Sequence, residues 1–334
     1  MRRICLAAMA LLACGAVISC KGKKVEEKEV TLVMAEVNPA ETIAGQMDQA
    51  FKQKVEELSG GKIKIDLQCS GILGDVDSVV SLMLKPHSTI QIHRMSAVNM
   101  ASYGCLQSSL LGIPYTFGSK EAFWEFTKSK AAQEILDEPI KTMGMKGLFY
   151  GEEGFRNFFS TVKISSVKDF AGLNARGTND AAMQGLIKAF GAISVPVNYA
   201  DLYAKLQTGA ISVAEQPIAN YLANHFYQVA PYMILDGHTL GVMETIITME
   251  AWNSLSESQQ KILLEAGKYA SEFCQKLSAS EEDRVKARLI KEGATITEVK
   301  DVRPWQAACA DVVKEAASVD PALYEQILSF SQKK

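Results

Sequence analysis

Strand-like and helix-like segments alternate along most of the chain, and that alternation leaves few architectures open. Residues 30–37 form a short apolar strand pattern. Residues 41–58 follow with Ile43, Met47, Ala50, Phe51, Val55 and Leu58 at helical spacing, until Gly60-Gly61 stops the run. Residues 62–68 alternate polar and apolar, the pattern of a strand with one buried face. The loop 70–74 leads to a helix over 76–84, a strand over 89–95, a helix over 121–136 and a strand over 146–150. A second unit opens at 174–177 and continues as a helix over 181–190, a strand over 193–197, a helix over 202–207 and a strand near 211–214. Strands separated by crossover helices predict an α/β fold whose sheet is largely parallel and covered on both faces.

One helical pattern is longer than the rest. It opens after Leu255 with Ser256-x-x-Gln259, a capping box. Ile262, Ala266, Tyr269, Phe273 and Leu277, then Val285 and Leu289, keep a helical period until Gly293. A helix of that length is unusual inside one globular domain and predicts one that crosses two. The 334 residues agree, since domains run to roughly 100–200 residues each.

The N-terminus reads as an export signal. Arg2 and Arg3 precede residues 4–18, which carry no charge, and Val17-Ile18-Ser19-Cys20 follows. Fifteen helical residues reach only ~22 Å, short of a bilayer core of roughly 30 Å. The alternative is a buried N-terminal helix. Val-Ile-Ser-Cys resembles the lipobox of bacterial lipoproteins, which implies cleavage after residue 19 and lipid on Cys20. Residues 20–29 are then a lipidated cysteine and a nearly all-charged tether with no apolar face to bury. Cys69, Cys105, Cys274 and Cys309 remain; four cysteines allow three pairings, the spacing selects none, and isolated thiols are the expectation.

Several functions are disfavoured at this stage. A net charge of −3 gives no general attraction for phosphate backbones, so no nucleic-acid partner is expected. His87, His93, His225 and His238 show no HExxH spacing and no CxxC accompanies them, so neither a metal site nor a cofactor is expected. There is no GxSxG, no P-loop and no GxGxxG opening a helix, and the chain reads as a non-enzyme.

From about Val30 onward the chain resembles the solute-binding proteins of tripartite ATP-independent periplasmic (TRAP) transporters. That family opens with a strand, a Pro-containing loop and a long helix ending in Gly-Gly or Asn-Gly, as residues 30–61 do. Gly71-Ile72-Leu73-Gly74-Asp75 matches its Gly-x-Leu-Gly-x loop, and Gly154-Phe155-Arg156 its Gly-x-Arg motif. Asp169-Phe170-Ala171-Gly172-Leu173-Asn174-Ala175-Arg176 echoes its Asp-Leu-Lys-Gly-Leu-Lys-Ile-Arg string. Tyr203-Ala204-Lys205-Leu206-Gln207-Thr208-Gly209 and Leu255-Ser256-Glu257-Ser258-Gln259-Gln260 follow in the family's order. Two departures stand out. Where the family reads Val-Asp-Gly-x-Glu-Asn-Pro, residues 211–217 lack the Asp and Gly and carry Gln216 for Asn. Its Gly-x-Ile-Asp segment is replaced by Ser88-Thr89-Ile90-Gln91.

The resemblance implies a two-lobed periplasmic-binding-protein-like fold with crossing strands and a lobe-spanning helix. Residues 30–153 plus 242–281 would form lobe I, and 154–241 plus 282–334 lobe II, behind a signal peptide 1–19. It implies a ligand site between the lobes in which Arg176 binds a carboxylate, with Arg156, Asn179, Tyr199, Gln216 and His238 around it. A planar guanidinium suits that task because it donates to both carboxylate oxygens at once. The function implied is a membrane-tethered periplasmic receptor that delivers a small organic acid, one with an apolar tail included, to TRAP permease subunits, with an additional periplasmic protein as a further partner. The alternatives are an exported scaffold lipoprotein and a periplasmic hydrolase using Asp75 and Asp77.

Overall fold

The computed structural model describes residues 28–178 and 180–332. Nine strands form one continuous sheet: β1 (Val30–Ala35), β2 (Ile63–Gln68), β3 (Ile92–Ser96), β4 (Met145–Ser160), β5 (Asn174–Arg176), β6 (Ile193–Ser194), β7 (Val213–Pro217), β8 (Tyr232–Thr248) and β9 (Thr295–Glu298). Their order is β2-β1-β3-β8-β4-β7-β5-β6, with β9 beside β8. The outer pairs are parallel, as the alternation predicts. The centre is not: β3–β8, β8–β4 and β4–β7 are antiparallel. The 16-residue β4 and the 17-residue β8 run side by side through both lobes and join them. The sequence pattern shows only the first residues of β4, because nearly every position along it is buried and polar and apolar side chains no longer alternate.

Both faces of the sheet are covered in each lobe. In lobe I, Met34 and Ile247 belong to one core while their chain neighbours Ala35 and Ile246 belong to another. In lobe II, Phe159, Ala214 and Met233 face one core, and Phe158, Val213 and Ile234 the other. Adjacent residues part in this way because strand side chains alternate between faces.

The long helix runs as Glu257–Lys291, 35 residues, with the expected capping box between Ser256 and Gln259. The Gln259 amide also donates to the Lys28 carbonyl at 3.0 Å, which fixes the start of the described chain to this helix. Along the helix, Leu263, Ala266, Ala270 and Cys274 pack in lobe I, and Val285 and Leu289 in lobe II. The expected helix over 121–136 is two helices, Lys120–Phe126 and Lys130–Asp137, because the Ser129 hydroxyl, accepting from the Ala132 amide, caps a new start at Lys130. The C-terminal stretch, expected wholly in lobe II, divides: Trp305 and Cys309 pack there, but Leu323, Tyr324 and Ile327 return to the first core of lobe I.

All four cysteines in the described residues are free, three of them buried. The signal segment, Cys20, most of the tether and Asn179 lie outside the described residues.

Candidate ligand cleft at the lobe junction

The candidate site grows out of an irregularity in β4. Gly154 adopts φ +87°, a left-handed conformation that favours glycine, and the register against β8 shifts between Glu152 and Phe155. The bulge brings Glu153 and Arg156 to the same side although they are three residues apart in a strand. The Arg156 Nη1 donates to Glu153 at 3.0 Å. Its Nε and Nη2 donate to the two oxygens of Glu215 on β7, the second at 3.0 Å. Glu153 in turn accepts from the Asn220 amide at 3.0 Å. Arg156 is thus held by two carboxylates in a setting where all three side chains are buried.

His238 on β8 extends this network. It is fully buried and its ring lies against Phe158, centroids 4.5 Å apart. Its Nδ1 pairs with Asp236 at 2.8 Å, and its Nε2 stands 3.7 Å from Glu215, an ion-pair distance and too long for a hydrogen bond. Asp236 also accepts from the Phe158 amide at 3.1 Å. Burial opposes the charged imidazolium, but the Asp236 and Glu215 carboxylates outweigh it and raise His238 to about 9. Burial likewise works to raise Glu215, and the Arg156 charge with its hydrogen bonds, helped by His238, overrides it and holds the carboxyl at about 2.

Arg176 is placed differently. It ends β5, aligned with Ala214 of β7, and its side chain is half-buried. Its Nε donates to the Val197 carbonyl at 3.2 Å and its guanidinium lies 6.0 Å from the Tyr199 ring centroid. No carboxylate among the described residues comes within ion-pair distance of it. Desolvation pulls its pKa below the ordinary arginine value, and the nearby Arg156 charge acts in the same direction, against Glu215. Tyr199 is fixed by the Asn224 amide, which donates to its hydroxyl at 2.9 Å. Gln216, next to Glu215, is only 3% exposed.

The structure therefore brings Arg156, His238, Gln216, Arg176 and Tyr199 into one neighbourhood but divides their roles. Arg156 and His238 are engaged with protein carboxylates, and Arg176 is not. Sequence reading missed Glu153, Glu215, Asp236 and Asp180. Glu215 was within reach, since it stands inside the 211–217 string beside Gln216. The two lobes meet tightly beside this neighbourhood, at a cavity that Arg156 alone of the five residues lines. Ser96, Val98 and Gly112 from one side and Thr178, Asp180 and Met183 from the other enclose a cavity of about 10 Å³, with Arg156 in its wall. That is room for about one water, so a solute of several heavy atoms enters only when the lobes separate. Asp75 and Asp77, the carboxylates considered for hydrolysis, are spoken for: Asp75 caps the helix Val76–Met83 and Asp77 accepts from the Tyr103 hydroxyl at 2.5 Å.

The family model for bacterial extracellular solute-binding protein, family 7, matches residues 34–319. A 2,3-diketo-L-gulonate-binding periplasmic protein of Escherichia coli is 23% identical over 266 residues, covering 79% of this chain and 80% of its own. A sialic acid-binding periplasmic protein of Vibrio cholerae is 23% identical over 261 residues, covering 78% and 80%. Among solved structures, a TRAP periplasmic solute-binding protein from Pseudomonas putida F1 with bound D-glucuronate superposes with a TM-score of 0.85 at 21% identity, covering 91% of this chain and 98% of the other. One from Sulfurospirillum deleyianum with bound succinate gives 0.83 at 21% identity, covering 90% and 98%.

Proposed function

Because this chain belongs to bacterial extracellular solute-binding protein family 7, the receptor family of TRAP transporters, we propose that it captures a small organic acid between its lobes and hands it to a TRAP-type permease. The observation that carries this reading is Arg176: a half-buried guanidinium at the lobe junction, flanked by Tyr199, with no protein carboxylate among the described residues to neutralise it. A desolvated cation of that kind gains most from an anion that accepts in its plane. The acids bound by relatives, D-glucuronate and succinate among them, supply that group. The receptor reading also includes a lipid on Cys20 that holds it at the membrane, supported by the Val-Ile-Ser-Cys sequence.

Mass spectrometry of the protein purified without refolding identifies retained acid, and calorimetric titration of that acid then tests the site. Hydrogen bonds to charged groups are worth about 1.5–3 kcal/mol, and each 1.4 kcal/mol is a factor of ten. Arg176→Ala is expected to weaken binding at least about tenfold, and Arg176→Lys to recover only part, since an ammonium lacks the fork. Equal affinities in folded variants remove Arg176 from the site. For the anchor, Cys20→Ala is expected to leave the protein uncleaved or released in soluble form; normal processing with membrane retention rules out the lipid.

A further inference from the structure

The closed cavity at the lobe junction contains an acid that an anion receptor does not need. Among the described residues lining it, Asp180 is the one carboxylate. It caps the helix Ala181–Ala189: one oxygen accepts from the Met183 amide at 2.9 Å and the other from the Thr178 hydroxyl at 2.6 Å. A carboxylate oxygen has about two acceptor sites, so each keeps one for a ligand. The charge balance around it is tight. Arg156 is neutralised by Glu215 and Glu153, Arg94 by Glu36, and His238 by Asp236. Of the arginines at the junction, Arg176 alone lacks a carboxylate among the described residues. One ligand carboxylate satisfies it. A second that enters the cavity meets Asp180 there, and the cation in the same wall, Arg156, is already paired with Glu215 and Glu153. A ligand hydroxyl or ammonium has the opposite experience, because it donates to the free acceptor sites of Asp180. The Thr239 hydroxyl lines the same cavity, is buried and has no hydrogen-bond partner among the described residues, so it too is available to a hydroxylated solute.

Building on Arg176 as the carboxylate anchor, we infer that Asp180 sets the solute class: a monocarboxylate carrying hydroxyl or ammonium donors, with dicarboxylates excluded. Matched acids test this directly. D-gluconate and D-glucarate differ at one terminus, CH2OH against carboxylate, and so do 4-hydroxybutyrate and succinate; 4-aminobutyrate adds an ammonium. Calorimetric titration into the wild-type protein is expected to show each diacid binding at least about tenfold more weakly than its partner. In Asp180→Asn the ratio should shrink at least about fivefold, with weaker binding of 4-aminobutyrate. Asn and Ser are both good helix caps, so Asp180→Ser provides a second variant that removes the charge and keeps the helix start, and thermal unfolding confirms the fold of each. A diacid that binds the wild type as tightly as its partner overturns the inference, and so does a ratio unchanged in both folded variants. Arg176→Ala separates the two readings: if it leaves the binding of these acids intact while the Asp180 variants change the ratio, the anchor is wrong and the charge filter stands. If no acid of the panel binds the wild type, both readings fall.

Discussion

The crossing strands carry a buried glutamate network at one end and a buried lone glutamate at the other, and the two behave in opposite ways. At the lobe II end, Glu215 is fully buried yet held at about 2, because Arg156 and His238 face it. Towards lobe I, Glu244 of β8 is equally buried, between Met95 and Tyr150 in register. Neither of its oxygens has a hydrogen-bond partner among the described residues. Burial pushes it up to about 8, against the pull of the nearby Ser108 hydroxyl, and the Glu138 charge adds to the rise. Burial is the same in both places. The partner decides the charge state, and with it what the region can do: the lobe II end holds fixed charges around a cleft, and the lobe I end holds a neutral acid in a core.

The sharpest way to break this comparison is to remove Arg156. The loss leaves Glu153 without its cation and Glu215 with only His238, 3.7 Å away, and breaking a buried pair from one side costs about 3–5 kcal/mol. Urea unfolding of Arg156→Ala should show a loss of that size. Arg176→Ala, which strands no protein carboxylate, should lose less than about 1 kcal/mol, the range of changes away from paired buried charges. If the two variants lose the same stability, the division between an engaged and an available arginine is wrong.

That division was only half legible in the sequence. The motif string marks Arg176 and the Gly-x-Arg motif marks Arg156, and both side chains reach the junction. What the string does not show is who neutralises whom. Arg156 meets Glu215 across 59 residues of chain, through a β4–β7 pairing that local pattern does not reveal. The crossing strands were hidden for a related reason. Glu152, Glu153, Arg156 and Asn157 on β4, and Asp236 and His238 on β8, interrupt the apolar pattern, although all are buried. A buried charge reads as a loop until its partner is known. Most of the outer strands and the long helix keep local periods and were legible; β9 went unread, and the helix over 121–136 divides where the Ser129 cap breaks an otherwise continuous period.

Glu244 sharpens the comparison from the other side through pH. Its folded pKa, about 8, lies above the ordinary glutamate value near 4.3. Both states bind the proton at pH 4, so the group costs nothing there. As pH rises from about 4.3 to about 8, the unfolded chain releases the proton first and stability falls. Glu244→Gln removes that titration while keeping size and shape. The variant should match the wild type near pH 4 and be more stable at pH 8 by an amount of up to about 5 kcal/mol, since each pH unit crossed between the unfolded and folded values costs the wild type about 1.36 kcal/mol at most. Melting temperatures across pH 4–8 measure it, and parallel curves for the two proteins would show that Glu244 has a partner after all. His238 acts in a later window: its raised pKa stabilises the fold below about 6.5, and that contribution is lost as pH rises towards 9.

The smallest effect comes from adding one methyl group beside the network. A Cβ at Gly241 on β8 would lie 2.6 Å from the Glu153 Cγ and 3.1 Å from its Oε1. Those contacts are too short to keep, so Gly241→Ala pushes the Glu153 side chain away from Arg156. Arg156 keeps both bonds to Glu215, and the freed Glu153 oxygen is the one that Arg156 Nη1 holds at 3.0 Å. The Asn220 amide still holds the other oxygen, which limits how far the carboxylate moves. Overpacking of this kind costs about 1–3 kcal/mol, and the lower end is expected because the tightest contact is with a side chain that can yield, while the Gly154 carbonyl, 3.2 Å away, has only to give by a few tenths of an ångström. Gly241 also lines the cleft, so its methyl competes for the same small cavity as the solute. Gly241→Ala should therefore lower stability by about 1 kcal/mol in urea unfolding and weaken acid binding severalfold. The double variant Gly241→Ala with Glu153→Gln provides the control. If Glu153 mediates the cost, adding Gly241→Ala to Glu153→Gln should cost less than it does in the wild type, because no Glu153–Arg156 ion pair is left to displace. Fully additive losses would place the strain elsewhere and return Glu153 to the status of a bystander.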